Sequence, residues 1–170
     1  MDKHELREHF TYDPKTGDLI WKDNPARSLA WRRKHAFKIA GSTKGRVGYR
    51  DIRLFDKTYR ASRIVWIMHH GDIPFGMEVD HRNNDGLDNR IENLRLATRA
   101  QNAANRRCYN AVGLKGVSKR VRKDGTVSYI AGITTNGKRT VLGRFDCPHK
   151  AHAAYCAEAL VRYGEFARFA

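Results

Sequence analysis

Cysteine is scarce in this chain: Cys108, Cys147 and Cys156 are the only three in 170 residues, and none forms a CxxC pair. An odd, unpaired set excludes a disulfide framework and a cysteine-ligated zinc centre. Long apolar runs are missing too. The longest, IVWIM at residues 64–68, is too short to span a bilayer. The N-terminal stretch MDKHELREHF is charged from its second residue, so no signal peptide is expected and the protein reads as soluble and intracellular. Acidic side chains are outnumbered, 18 Asp and Glu against 33 Lys and Arg, for a formal charge of +15. That excess favours a polyanionic partner, nucleic acid before a membrane surface. With 41% hydrophobic and 10% aromatic residues, the chain is too apolar to be disordered.

The charge is unevenly placed. Residues 1–57 hold 14 basic and 8 acidic side chains, residues 58–105 hold 6 of each, and residues 106–170 hold 13 and 4. Two basic flanks therefore surround a neutral centre. Basic flanks suit backbone phosphates, and a centre of clustered carboxylates and amides suits a cation.

In the first flank, Phe10 and Tyr12 precede the turn signal at residues 13–18 and Leu19, Ile20 and Trp21 follow it, as in a β-hairpin. A second pair is suggested by residues 45–49, the alternating Ile52 and Leu54, and then Asp56-Lys57. Residues 27–38 mix Arg32, Arg33 and Lys34 with Trp31 and Phe37. They could follow a phosphate backbone or form a solvated helix face, and the sequence leaves both open. Residues 62–70 read as a helix with Ile64, Ile67 and Met68 on one face. In the last flank three strands are expected at 115–118, 128–134 and 139–145, with turns at Asp124-Gly125 and Asn136-Gly137. An alanine-rich helix over 148–163 follows, with Ala153, Ala157 and Leu160 on one side and Gly164 as its stop.

The centre, residues 77–105, reads as strand, polar loop, strand and helix. A strand ends in Val79-Asp80-His81, a loop rich in Asn, Asp and Gly follows, and Thr98-Arg99-Ala100-Gln101 forms a capping box for a helix over 99–106 that carries Asn102. Phosphodiester hydrolysis needs a cation, a water and a base. Asp80 offers hard oxygens for Mg²⁺, the Asn102 amide can add another, and His81 titrates near neutrality. Adjacent strand residues point to opposite faces, so Asp80 and His81 can share a site only if the strand ends or bulges there. Asn83, Asn84, Asp85 and Asp88 read as turn formers, His69 and His70 as a helix end, and His149 and His152 as helix surface. Arg82 and Arg95 could touch phosphate or face solvent.

Residues 58–105 resemble the HNH nuclease motif, the ββα-metal fold, as found in phage-encoded endonucleases including intron homing endonucleases. The words that carry the resemblance are Val79-Asp80-His81, Asp88-Asn89-Arg90-Ile91-Glu92-Asn93-Leu94-Arg95, and Ala97-Thr98 through Gln101-Asn102. It implies that Asp80 and Asn102 hold a divalent metal, Mg²⁺ with Mn²⁺ as a substitute. It also implies that His81 activates water, and that Asn93 braces the loop and orients the histidine. The third letter here is Asn rather than His, and Ser62 stands where related phage sequences have histidine. That position is not a metal ligand in the family pattern, so a packing or DNA-contact difference is expected there.

The last flank resembles the AP2 DNA-binding domain through Lys115-Gly116-Val117-Ser118, Tyr129-Ile130-Ala131-Gly132-Ile133, Leu142-Gly143-Arg144-Phe145 and Tyr163-Gly164-Glu165-Phe166-Ala167, with Tyr129 where tryptophan is usual. In that fold the sheet enters the major groove, which implies Lys119, Arg120, Lys138 and Arg139 as DNA contacts.

The expectation is thus an α+β chain of three parts: a β-rich DNA-binding region (1–57), an HNH core (58–107) and an AP2-like module (108–170). It would act as a metal-dependent endonuclease that nicks double-stranded DNA in the cytoplasm of a bacterial or phage-infected cell, as a monomer, with a dimer as the alternative. The rival is a DNA-binding regulator whose nuclease site has lapsed.

Overall fold

The structure, a computed structural model, describes residues 2–45, 48–135 and 137–169. It is mixed α and β, and its contacts divide the chain into two compact units, Met1–Ala97 and Thr98–Ala170.

In the first unit, α1 (Lys3–His9) starts at Asp2, whose carboxylate accepts from the His4 amide, satisfying a donor that the first turn leaves free. The expected hairpin follows: β1 (Phe10–Tyr12) pairs antiparallel with β2 (Leu19–Trp21), Phe10 opposite Trp21. Residues 27–38, left open between two readings, contain the helix α2 (Leu29–His35), capped by the Ser28 hydroxyl on the Trp31 amide.

The second hairpin is made by β3 (Asp51–Leu54) and β4 (Lys57–Arg60); of residues 45–49, where the sequence suggested its first strand, Arg46 and Val47 lie outside the described residues. Its two-residue turn is Phe55-Asp56, both at positive φ (49° and 57°). Such turns normally announce themselves with Asn-Gly or Asp-Gly, so this one carries no sequence signal.

α3 (Ala61–His70) is the apolar centre of the unit. Ile64, Val65, Ile67 and Met68 are buried, joined by Leu6, Phe10, Leu19, Ile52 and Leu94. Each large side chain so buried contributes about 1.5–3 kcal/mol. Ser62, where a histidine is usual, is buried as well, so the departure falls on packing. β5 (Met77–His81) and β6 (Leu94–Thr98) form a two-stranded sheet, with one 3₁₀ turn, Ile91–Asn93, leading into β6.

The second unit opens with α4 (Arg99–Asn105), whose capping box is present in full: the Thr98 hydroxyl accepts from the Gln101 amide and the Gln101 side chain accepts from the Thr98 amide. Three antiparallel strands follow in the order β7 (Val117–Val121), β8 (Val127–Thr135), β9 (Lys138–Phe145). Of the turn expected at Asn136-Gly137, Asn136 lies outside the described residues; Gly137 has φ 78°.

α5 (Pro148–Tyr163) ends at Gly164 as expected, but its buried face is another one. Ala151, Tyr155, Ala159 and Tyr163 are buried, while Ala153, Ala157 and Leu160 are exposed. The helix packs Ala151 against Val117 and Ala131 of the sheet, sets Tyr155 beside Gly116 and bonds the Tyr163 hydroxyl to the Thr134 carbonyl. Apolarity alone marks the wrong face, because alanine covers much of the helix. The three cysteines are free thiols. Among the described residues no helix is long and apolar enough to cross a membrane.

Candidate active site

β5 ends at His81, and Asp80 and His81 are both buried there. The strand end at which the two could share a site is therefore where the geometry requires it. The loop that follows is built from its own polar side chains. Asn93 donates to the Asn83 side-chain oxygen (3.0 Å) and to the Asp88 carbonyl (2.8 Å), and accepts from the Asn83 amide (3.1 Å). Asp88 takes a fork from Arg90, Nε at 2.8 Å and Nη2 at 2.8 Å, and accepts from the Asn83 side chain. Arg90 holds the Asp88 carboxyl down at about 2, helped by the Arg90 amide and Asn83 against the effect of burial. The turn-forming reading of Asn83, Asn84, Asp85 and Asp88 agrees with this web and with the positive φ of Asn84.

Asn93 braces the loop through these bonds. One partner of the imidazole is Asn89, which is only 2% exposed: Nε2 of His81 lies 3.1 Å from Asn89 Oδ1. The direction of that bond follows from the other end of the amide. Asn89 Nδ2 donates to the Leu87 carbonyl at 3.2 Å, and turning it over would set two oxygens against each other. Oδ1 therefore faces the ring, Nε2–H donates to it, and the basic lone pair is on Nδ1. Burial pushes the His81 pKa down, against the opposing pull of Asn89, Asp80 and Asp85, with Arg60 adding to the lowering.

Aromatic and glycine contacts fix the surroundings. The Tyr49 ring lies 6.1 Å from the imidazole and carries the Arg60 guanidinium 3.9 Å above it. Tyr49 approaches because residue 86 is glycine, where a Cβ would stand 2.5 Å from the ring and 2.2 Å from the Gly48 carbonyl. Gly17, in the turn of the first hairpin, similarly allows contact with the Asn89–Arg90 backbone, 2.4 Å from where its Cβ would be. The Tyr12 hydroxyl accepts from the Ile91 amide at 2.8 Å.

Asp80 is not open to solvent. Its Oδ2 accepts from Arg95 Nε at 2.9 Å, both side chains less than a tenth exposed. Arg95 thus departs from the solvent- or phosphate-facing expectation: β6 turns it inward beside Asp80, where burial demands a counter-charge. Arg82 is exposed at the loop's start. Asn102 stands half-buried on α4, in the second unit. Among the described residues no group of three or more His, Cys, Asp or Glu side chains is placed to hold a metal ion. Asp80 contributes one carboxylate, whose hard oxygens suit Mg²⁺, an ion that keeps waters and substrate phosphate in its shell.

The four cations expected on the C-terminal sheet divide between its faces. Val117, opposite Ala131, faces α5, so by alternation Lys119 shares that side and Arg120 takes the other. Arg139 lies opposite Thr134 and donates to Ser118 Oγ at 3.2 Å, which puts it on the open face with Arg120. Lys138, opposite Thr135, belongs with Lys119. Arg144, opposite Ile130 and exposed, joins the open face and was missed in the sequence. A bulge in β9 beside Ala131 and Gly132 shifts its alternation, and nothing in the sequence marks it. Asn89 and Arg95 were missed as partners of His81 and Asp80 because both read as parts of a turn and a strand.

Comparison with known proteins agrees on the central segment. Residues 59–104 match the family described as HNH endonuclease. Among curated proteins, an uncharacterized HNH endonuclease (L560) of Acanthamoeba polyphaga mimivirus is 32% identical over 104 residues, covering 61% of this chain and 52% of that protein. Protein 3.8 of Escherichia phage T7 is 29% identical over 122 residues, covering 71% of this chain and 98% of its own. The chain thus spans about half the length of the first relative and nearly all of the second. No solved structure matches. The segment that carries Asp80, His81, Asn93 and Asn102 is the one that matches the HNH endonuclease family.

Proposed function

We propose that the protein is a metal-dependent endonuclease that hydrolyses a phosphodiester bond in double-stranded DNA, one strand at a time. The observation that carries this reading is the buried imidazole of His81, held in one tautomer by Asn89 beside Asp80, inside the segment that matches a nuclease family. His81 Nδ1 takes a proton from water as the water oxygen attacks phosphorus. The P–O3′ bond breaks, leaving a 5′-phosphate and a 3′-oxyanion that takes a proton from solvent to become the 3′-hydroxyl. Asn89 holds the ring by accepting from Nε2–H, and Arg95 orients the Asp80 carboxylate. Asp80 and Asn102 would hold a divalent ion, most simply Mg²⁺, whose charge stabilises the transition state and the leaving oxygen.

The flanks supply the grip. In this proposal residues 1–57 and the AP2-like module 108–170 bind DNA, Arg120 and Arg139 leading from the open face of the sheet, with Lys119, Lys138 and Arg82 adding charge. Arg95, buried on Asp80, is left out of the DNA contacts. A monomer with one such site nicks.

One observation favours the rival, a DNA-binding regulator: the guanidinium of Arg95 already neutralises Asp80. Supercoiled plasmid with Mg²⁺ or Mn²⁺ decides. Open-circular product from the wild type and none from His81→Ala is expected, a loss of about 10²–10⁴-fold. No cleavage by the wild type with either ion establishes the regulator, and equal cleavage by His81→Ala removes His81 as the base.

A further inference from the structure

A second feature of the first unit is used by none of the chemistry above. Between α2 and the β3–β4 hairpin lies a groove of about 530 Å³, walled by Trp21, Trp31, His35 and Phe55 and edged by Arg27 on one side and by Arg53, Asp51 and Asp56 on the other. That volume is in the range of small-ligand sites. Its aromatic walls are ordered against each other: Trp21 meets Trp31 edge-on at 5.3 Å, and the His35 ring lies 5.0 Å from Trp31 at a tilt of 32°. The Arg27 guanidinium sits over the Trp31 ring at 5.6 Å.

The rim is costly to keep. Phe55 is exposed at positive φ, 49°, and just beyond the walls Phe37 is 77% exposed at φ 60°. A bulky residue rarely adopts that backbone, and strain of this kind collects at binding sites. Leu29 and Ile39 add further exposed apolar surface.

We propose that this groove holds one unpaired base of a DNA strand, stacked on the Trp31–Arg27 surface with its phosphates on the neighbouring cations. The chemistry selects this guest. Aromatic walls and a guanidinium plane both take a flat π-ring. Arg53 is paired with Asp56 on the hairpin side, so the positive excess lies on the α2 side, where Arg27 and the exposed Arg33, Lys34 and Lys38 attract a phosphate. The segment's excess of 14 basic over 8 acidic side chains complements a polyanion rather than a neutral apolar peptide. The proposal rests on the DNA-binding part of the reading above and not on cleavage.

The test measures binding of a fluorescein-labelled single-stranded 12-mer of thymidines by anisotropy, in EDTA. Arg27→Ala, an exposed site whose loss leaves the core intact, should weaken binding about tenfold, the scale of one lost stacking contact. Trp31→Phe should bind within about twofold of wild type, since any aromatic face stacks. The same 12-mer carrying one 5-iodouracil should crosslink on irradiation to the peptide containing Trp31. Unchanged affinity in Arg27→Ala together with crosslinks confined to residues 98–170 overturns the proposal. So does displacement of the 12-mer by equimolar thymidine monophosphate, which would make a free nucleotide the guest. Plasmid nicking by the same preparations is read in parallel. Nicking without a crosslink at Trp31 sinks the groove and spares the nuclease, and a crosslink without nicking does the reverse.

Discussion

The two units of this chain differ in where charge is buried. The first buries a charged cluster as well as exposing basic side chains: Asp80, His81 and Arg95 lie beneath the surface with Asn89 and Asn93, beside a core of large aliphatic and aromatic side chains. The second displays charge: its core is small, centred on Val117, Ala131 and Ala151, and its open sheet face carries exposed Arg120, Arg139 and Arg144. Chemistry on a phosphate needs groups pre-positioned and stripped of water. Holding a phosphate needs cations that stay at the surface and can each be spared. The difference separates what must be exact in geometry from what need only be numerous.

The sharpest way to break that contrast is to remove one half of the buried pair. Asp80→Ala removes the carboxylate that accepts from Arg95 Nε in a buried pair and should cost about 3–5 kcal/mol. Asp80→Ala with Arg95→Leu should recover most of that loss, read from urea midpoints. A smaller effect is expected at the histidine's support. Asn89→Ala should lower the nicking rate about 10–100-fold, as loss of an outer-shell partner does, with the Kd for DNA unchanged. On the displayed side, Arg139→Ala should weaken DNA binding only a few-fold and lower the slope of log K against log salt by about 1. A loss as large as that from Asn89→Ala would end the claim that surface cations are replaceable.

The smallest effect is on acid stability. Asp88, with its folded pKa depressed from 3.8 to about 2, contributes stability that is present above about pH 4 and lost as pH falls toward 2. Thermal midpoints of Asp88→Asn should therefore fall less between pH 4 and 2 than those of the wild type.

Much of this architecture is written locally. The hairpin at 10–21, helix α3, the capping box at Thr98 and the three C-terminal strands all follow from periodicity and turn chemistry acting within a few residues. The strand end at His81 was legible as a requirement, because two neighbours had to meet. What was not legible was long-range or depended on direction. Arg95 finds Asp80 fifteen residues away, and a strand arginine reads as exposed until its neighbours are known. Asn89 carries no role in the sequence beyond its place in the polar loop and the motif, and only the Leu87 carbonyl fixes which end of its amide meets the ring. The Phe55-Asp56 turn breaks the residue preferences of its own geometry. The buried side of α5 is hidden by the sameness of its alanines.

The contact between the first hairpin and the loop has a consequence for the order of events during synthesis. Tyr12 binds the Ile91 amide across 79 positions, and Gly17 presses on Asn89–Arg90. A pairing so distant in sequence must wait for the closure of everything between. A nascent chain that has not yet released residue 91 therefore has its hairpin but not its site. The loop around His81 stays unbraced by the hairpin until the first unit has left the ribosome, and amide exchange at Ile91 should report the moment that contact forms.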